Sequence, residues 1–342
     1  MQRKIIRIAA LLCLGLFVYF IVRADPKDLL QILGRLSLPA LLLLLLLRLL
    51  FWAIRTWCWQ IVTGCCHAGG VSFLTMFCAE LAGHAVGHFT PSAKLGGDAI
   101  RALMLGAVPK NKALASVVLD KSIELMATVL MMGVGLFIAL VRIRMSVAQR
   151  ILFLSLTSAA ALLIIFFFHR QKKGLFIWIL ETLKKLRIRS RYLEAKRERL
   201  IEADAIIADF YSRHRRSFLQ VFLLYLVMIL LWTMEMHLTF VFVGVRGITL
   251  LKSFLATTLG IVSNIVPVIP ASIGIYEMTY FSVFAVLRIP QKNGIVVILV
   301  RRLLNLLLAV SGLLPMLRMK SPRAGRREPP AAPLSSTPEK TC

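Results

Sequence analysis

Twice in this chain a membrane-length apolar run is stopped by proline, turned through small residues and glycine, and restarted with a carboxylate close behind. The first break reads Thr90-Pro91-Ser92-Ala93-Lys94-Leu95-Gly96-Gly97-Asp98-Ala99-Ile100-Arg101. The second reads Pro267-Val268-Ile269-Pro270-Ala271-Ser272-Ile273-Gly274-Ile275-Tyr276-Glu277. Proline removes a backbone donor and ends a helix, and glycine turns the chain without steric cost. A carboxylate just beyond suits the free N–H groups of a helix start. Inside a bilayer such a break is tolerated only where it is buried in protein or lines a watery cavity. Pro91, Gly96 and Gly97, and in the second break Pro270 and Gly274, are therefore read as backbone turn residues. Paired breaks in the two halves of a membrane protein point to a transport site.

Of 342 residues, 58% are hydrophobic, with a mean hydropathy of +0.80. No soluble domain of this length needs so much apolar surface, and the expected fold is all-α and polytopic. Yet 42 Lys+Arg stand against 16 Asp+Glu, a net charge of +26. The basic residues lie mostly between and beside apolar runs, with no recognition motif. Positive-inside topology and attraction to anionic lipid account for them, and nucleic-acid binding is set aside. The six cysteines show no framework or metal-ligand spacing. Cys65-Cys66 at a membrane border suits acylation or, more simply, two small apolar side chains. Cys342 is the last residue, so it is not a prenylation signal.

In chain order, the apolar run 5–22 is long for a signal peptide and right for an uncleaved first helix. A second span is predicted over about 38–61, with Arg48 and Arg55 seven apart and so on one face. Arginines there either meet a partner or cavity or snorkel to headgroups. The arm 71–89 carries Glu80, His84 and His88 on one face. That spacing suits a metal or, as preferred here, a water-facing stripe leading to the first turn. After a short arm, 96–108, come spans over 113–140 and 147–168. The first of these has Asp120 and Glu124 placed to meet Arg101, Arg55 or Lys94. Residues 169–216 hold 14 Lys/Arg against 6 Asp/Glu, and from Arg191 onward they read as a cytoplasmic amphipathic helix lying on the bilayer. A span over 217–243 carries Glu235 and His237. The runs 251–266 and 273–287 flank the second break, and a last span over 293–317 contains Arg301, Arg302 and Asn305.

Charge places the N-terminus, the 169–216 connector and the tail in the cytoplasm. About six spanning helices plus two re-entrant hairpins of opposite orientation satisfy this; eight full spans do so too. The domain reading is one transmembrane unit, 1–317, with halves 1–168 and 217–317, followed by a disordered basic, Pro-rich tail, 318–342.

The stretches TPSAKLGGDAIR (90–101) and PASIGIYE (270–277) resemble the two signatures of the flippase-like membrane family, that of the lysylphosphatidylglycerol synthase transmembrane region. The likeness covers about residues 5–317 and is carried by Pro91, Gly96, Gly97, Asp98, Arg101, Pro270, Gly274 and Glu277. Where many members have asparagine before the first motif, this chain has His88. The resemblance implies an inner-membrane protein moving an amphipathic lipid between leaflets. Relatives are associated with aminoacylated phosphatidylglycerol, hopanoids and polyprenyl-linked glycolipids. The soluble synthase domain of full-length relatives is not found in this sequence, so lipid synthesis is not expected.

Lipid transport is the leading expectation, with Lys94 and Arg101, together with Arg55 or Arg301, taking the headgroup. Asp98 and Glu277 would act as counter-charges or proton-coupled carboxylates, or simply cap their helices. No catalytic residue, metal or cofactor is expected. Membrane lipids are the expected partners, with enzymes of lipid or glycolipid synthesis as candidates. The alternatives are a membrane-embedded enzyme using Glu80, His84 and His88, or an accessory protein of envelope lipid synthesis.

Overall fold

The computed structural model describes residues 36–67, 69–89, 95–143, 146–185, 197–261 and 275–318. The apolar run 5–22, Lys94, the prolines and Gly274 of the two breaks, and the basic tail lie outside them. The described residues form eleven helices and no strand. In chain order these are α1 (Leu38–Cys66), α2 (Phe73–Phe89), α3 (Leu95–Met104), α4 (Lys110–Arg142), α5 (Val147–Lys173), α6 (Leu175–Lys185), α7 (Arg197–Arg213), α8 (Arg215–Phe242), α9 (Leu250–Gly260), α10 (Ile275–Val286) and α11 (Gln291–Arg318). Five of them, α1, α4, α5, α8 and α11, are long and apolar enough to cross a membrane. This is a polytopic all-α membrane protein.

The helices beside the breaks are shorter over the described residues. At 17 and 10 residues, α2 and α3 reach only about 25 and 15 Å at 1.5 Å per residue, against roughly 30 Å of hydrocarbon. The 11 and 12 residues of α9 and α10 are shorter than a span as well. α2 and α3 pack closely and run antiparallel: Gly97 abuts Gly83 and Gly87, while Arg101, one turn on, reaches back to Gly83 and Glu80.

Two cores form around these short pairs. The first joins Trp59 of α1, Met76, Ala82 and Val86 of α2, Ile100 of α3 and Val117 of α4 to Ala309 and Leu313 of α11. The second gathers Phe240 of α8, Leu255 and Leu259 of α9 and Tyr280 and Phe284 of α10 around Val297 and Ile298 of α11. The last span thus serves both cores, one with each half of its length.

Residues 169–216 differ from expectation in two ways. α5 continues to Lys173 and ends at Gly174, whose φ of +98° is the left-handed conformation glycine tolerates. The amphipathic helix is α7, and its apolar side rests on protein rather than lipid. Ala203, Ile207 and Phe210 are buried with Cys58, Val62, Leu119, Ile123, Val221 and Tyr225. Polar contacts fix it there. Asp204 accepts the Phe176 and Ile177 N–H groups at the start of α6, at 3.0 Å each. The Tyr211 hydroxyl donates to Gln171 Oε1 at 2.9 Å, and burial pushes that phenol above its ordinary pKa, keeping it a donor.

Apolar side chains gain little by leaving lipid for one another, so close helix contact depends on small residues. A methyl at Gly312 of α11 would collide with the Leu81 backbone carbonyl of α2. Gly133, within α4, has nothing within 4 Å of such a methyl. Gly312→Ala should lower the thermal stability of the detergent-purified protein by about 1–3 kcal/mol. Gly133→Ala should leave it unchanged or raise it by up to about 1 kcal/mol through helix propensity. Parallel melting curves of the two variants check this.

Candidate functional site

Arg48 and Arg55 leave α1 on one face, and each enters a different cluster of buried charge. Around Arg55 the partners come from the first half of the chain. Its Nε donates to Glu80 of α2, and its terminal nitrogens meet Glu124 of α4 at 2.8 and 2.9 Å. Arg101 of α3 reaches Glu80 Oε2 at 2.5 Å, Asp120 Oδ2 at 2.6 Å and Asp98 Oδ1 at 3.1 Å. The Tyr225 hydroxyl of α8 donates to the other oxygen of Asp120 at 2.6 Å, and Lys121 holds Glu124 at 2.9 Å. The Arg101 guanidinium lies 4.4 Å from the centre of the Trp59 ring, whose indole N–H donates to Ser116 at 3.2 Å.

Arg48 instead joins the second half. It pairs with Glu235 of α8 and donates to Asn305 of α11. One turn before Asn305, Arg301 is 1% exposed. Its guanidinium stands 5.5 Å from the Trp232 ring centre. Arg302 pairs with Glu277 of α10 and lies 5.2 Å from the Tyr276 ring centre.

Ions in an apolar interior must be balanced nearly one for one. Among the described residues the first cluster has three cations (Arg55, Arg101, Lys121) against four carboxylates (Glu80, Asp98, Asp120, Glu124). The second has three guanidinium groups (Arg48, Arg301, Arg302) against two carboxylates (Glu235, Glu277). One half is a charge short of positive, the other a charge in excess. The excess falls on Arg301. Its Nε and Nη1 are buried without a hydrogen-bond acceptor among the described residues, as are Arg302 Nε and Nη2 and, in the first cluster, Arg101 Nε. Arg302 and Arg101, however, each have a carboxylate oxygen at ion-pair distance from Nε. Glu235 Oε1 stands 3.9 Å from Nη1, beyond hydrogen-bond reach, and is already held by Arg48.

The predicted site residues therefore divide between two places. Arg55, Asp98 and Arg101 share one cluster, with Gly97 at the α2–α3 crossing beside it and Gly96 one residue before it in the first turn of α3. Arg301 and Glu277 belong to the other, while Lys94 lies outside the described residues. Arg101 is 2% exposed and held by three carboxylates, an internal salt bridge rather than an open cation. Glu80, read from sequence as part of a polar stripe, bridges both arginines. His84 instead tilts against the Trp52 ring at 4.5 Å, and among the described residues no group of three His, Cys, Asp or Glu side chains is placed to hold a metal. Sequence reasoning missed Tyr225 and the Arg48–Glu235–Asn305 contact. The available signal was Glu235 itself, a carboxylate deep in an apolar span, which needs a cation.

Removing one member of a buried pair leaves the other uncompensated. Glu80→Gln should cost about 3–5 kcal/mol of stability, and adding Arg101→Met to it should restore part of the loss. Asp209→Asn, which breaks an exposed pair with Arg213, should change stability by less than about 0.5 kcal/mol. Thermal unfolding of the four proteins decides between these outcomes.

The comparisons agree with this architecture. The profile of the family described as Lysylphosphatidylglycerol synthase TM region matches residues 5–312, both breaks and both charge clusters included. No curated protein matches the chain. With nearly its whole apolar length matched, the chain belongs to the lysylphosphatidylglycerol synthase TM region family.

Proposed function

We propose that this protein moves an amphipathic lipid between the leaflets of the inner membrane. The lipid headgroup would travel through the second charge cluster while the chains stay in the bilayer. The observation that carries this reading is the buried Arg301 guanidinium, whose Nε and Nη1 have no acceptor among the described residues. A cation at membrane depth in excess of the carboxylates around it is costly unless a counter-anion visits it. The phosphate of a lipid supplies that charge and two or more acceptor oxygens. Trp232, Tyr276 and Tyr280 border the same place, offering amphipathic faces to glycerol or sugar.

In this reading the short pairs α2–α3 and α9–α10 are re-entrant hairpins entering from opposite sides, with both termini in the cytoplasm. The first cluster, closed on itself through Arg101, holds its hairpin in place. The surplus positive charge favours a phosphate-bearing headgroup; anionic, aminoacylated, hopanoid and polyprenyl-linked lipids are the classes that the family resemblance implies. The protein performs no chemistry on its cargo, and enzymes that make the lipid are its natural neighbours.

Purified protein in vesicles carrying a fluorescent anionic phospholipid tests the proposal through the rate at which an external quencher bleaches inner-leaflet label. The wild type should move the lipid. Arg301→Gln should slow movement by roughly tenfold or more, the factor that ~1.4 kcal/mol of lost interaction represents. Arg213→Gln, on an exposed pair, should not slow it. Movement no faster than in empty vesicles, or an unaffected Arg301→Gln variant, would refute the proposal.

A further inference from the structure

A third group of aromatic and charged side chains, belonging to neither charge cluster, stands at the corner where α5 ends and α6 begins. α5 is largely uncovered by protein. Leu162, Leu163 and Ile165 are each more than 60% exposed, and Phe166 is 43% exposed. One turn beyond Phe166 this apolar face ends in Arg170. Its guanidinium lies 5.3 Å from the Phe166 ring centre and 5.2 Å from that of Trp178 on α6. The two rings meet edge to face at 5.5 Å.

The corner is held rigidly. Gly174, at φ +98°, turns the chain sharply. Asp204 of α7 then binds both the Phe176 and Ile177 N–H groups at 3.0 Å, which fixes the first turn of α6 and with it Trp178. Asp204 is committed to that helix start, and among the described residues no carboxylate pairs with Arg170. Lys173, one turn on, is exposed, so the local charge is positive.

A snorkelling arginine reaches water along a flexible stem. Arg170 is different, because two aromatic faces orient its planar fork before any ligand arrives. We infer that Arg170, Phe166 and Trp178 form a binding site for the phosphate of an anionic phospholipid in the bordering leaflet, whose acyl chains lie along Leu162, Leu163 and Ile165. The charge excess of the 169–216 segment makes that leaflet the cytoplasmic one. Such a lipid is a fixed annular neighbour rather than cargo, and the site does not depend on the transport reading.

The test is thermal unfolding of the full chain in neutral detergent with added phosphatidylglycerol or phosphatidylcholine of identical acyl chains. The wild type should be stabilised more by phosphatidylglycerol. Arg170→Gln should lose most of that preference, whereas Arg213→Gln, which removes the same charge from an exposed position, should keep it. Arg170→Lys keeps charge and reach but not the stacked fork, and it serves if the glutamine variant does not fold; it too should lose most of the preference. Equal losses in the Arg170 and Arg213 variants would assign the effect to diffuse charge and overturn the site. So would a wild type that does not distinguish the two lipids, or Arg170 variants that behave as wild type.

Discussion

The fold turns on how charged side chains are kept out of lipid. Moving a guanidinium or carboxylate from water into an apolar interior costs several kcal/mol even after relaxation, unless partners meet it with good geometry. Helix α1 carries two such guanidinium groups on one face, and their partners lie far off in sequence. Arg55 is held by Glu80 and Glu124 of the first half, and Arg48 by Glu235 and Asn305 of the second. Helices α2, α4, α8 and α11 must all stand around α1 for these pairs to close. Apolar packing alone would not impose that arrangement, because lipid tails satisfy a leucine as well as another leucine does. Glycine contacts such as Gly312 on Leu81 then let the helices approach closely enough for the pairs to form.

The two clusters are alike in construction and opposite in balance. The first is rich in carboxylates and internally bonded, with Arg101 stacked on Trp59 and surrounded by Glu80, Asp98 and Asp120. It ties the short α3 helix to α1, α2 and α4. The second has the same ingredients, arginine over aromatic rings beside a glutamate, but one more guanidinium than carboxylates among the described residues, with Glu235 Oε1 3.9 Å from Arg301 Nη1. A closed network favours rigidity, whereas an open one invites an exchangeable anion. This difference between two otherwise parallel breaks sets apart the proposed anchor from the proposed site.

Much of this was legible in the sequence. Over the described residues α2, α3 and α10 lie within the predicted arms or within a few residues of them. Asp120 and Glu124 were recognisable as partners for Arg101 and Arg55, because buried carboxylates at helical spacing need cations. Two things were not legible. Glu235 and Arg48 are 187 residues apart, and no local spacing joins them. The periodicity of α7 likewise indicates one apolar face without saying what covers it. Lipid was the expectation, and the bundle of α1, α4 and α8 is what the structure places there. Glu80 was misread for a related reason: its histidine neighbours share its helix face, while its real partners come from α1 and α3.

In the proposed transport cycle a lipid phosphate meets the surplus positive charge of the second break. The most direct measurement is an electron cryomicroscopy structure in nanodiscs of anionic phospholipid, resolved well enough to place side chains at the second break. A headgroup with phosphate oxygens within hydrogen-bond reach of Arg301 Nε and Nη1 is the expected result. Backbone carbonyls of 262–274 occupying those two donors, with no lipid beside them, would contradict it and make Arg301 a structural brace like Arg101.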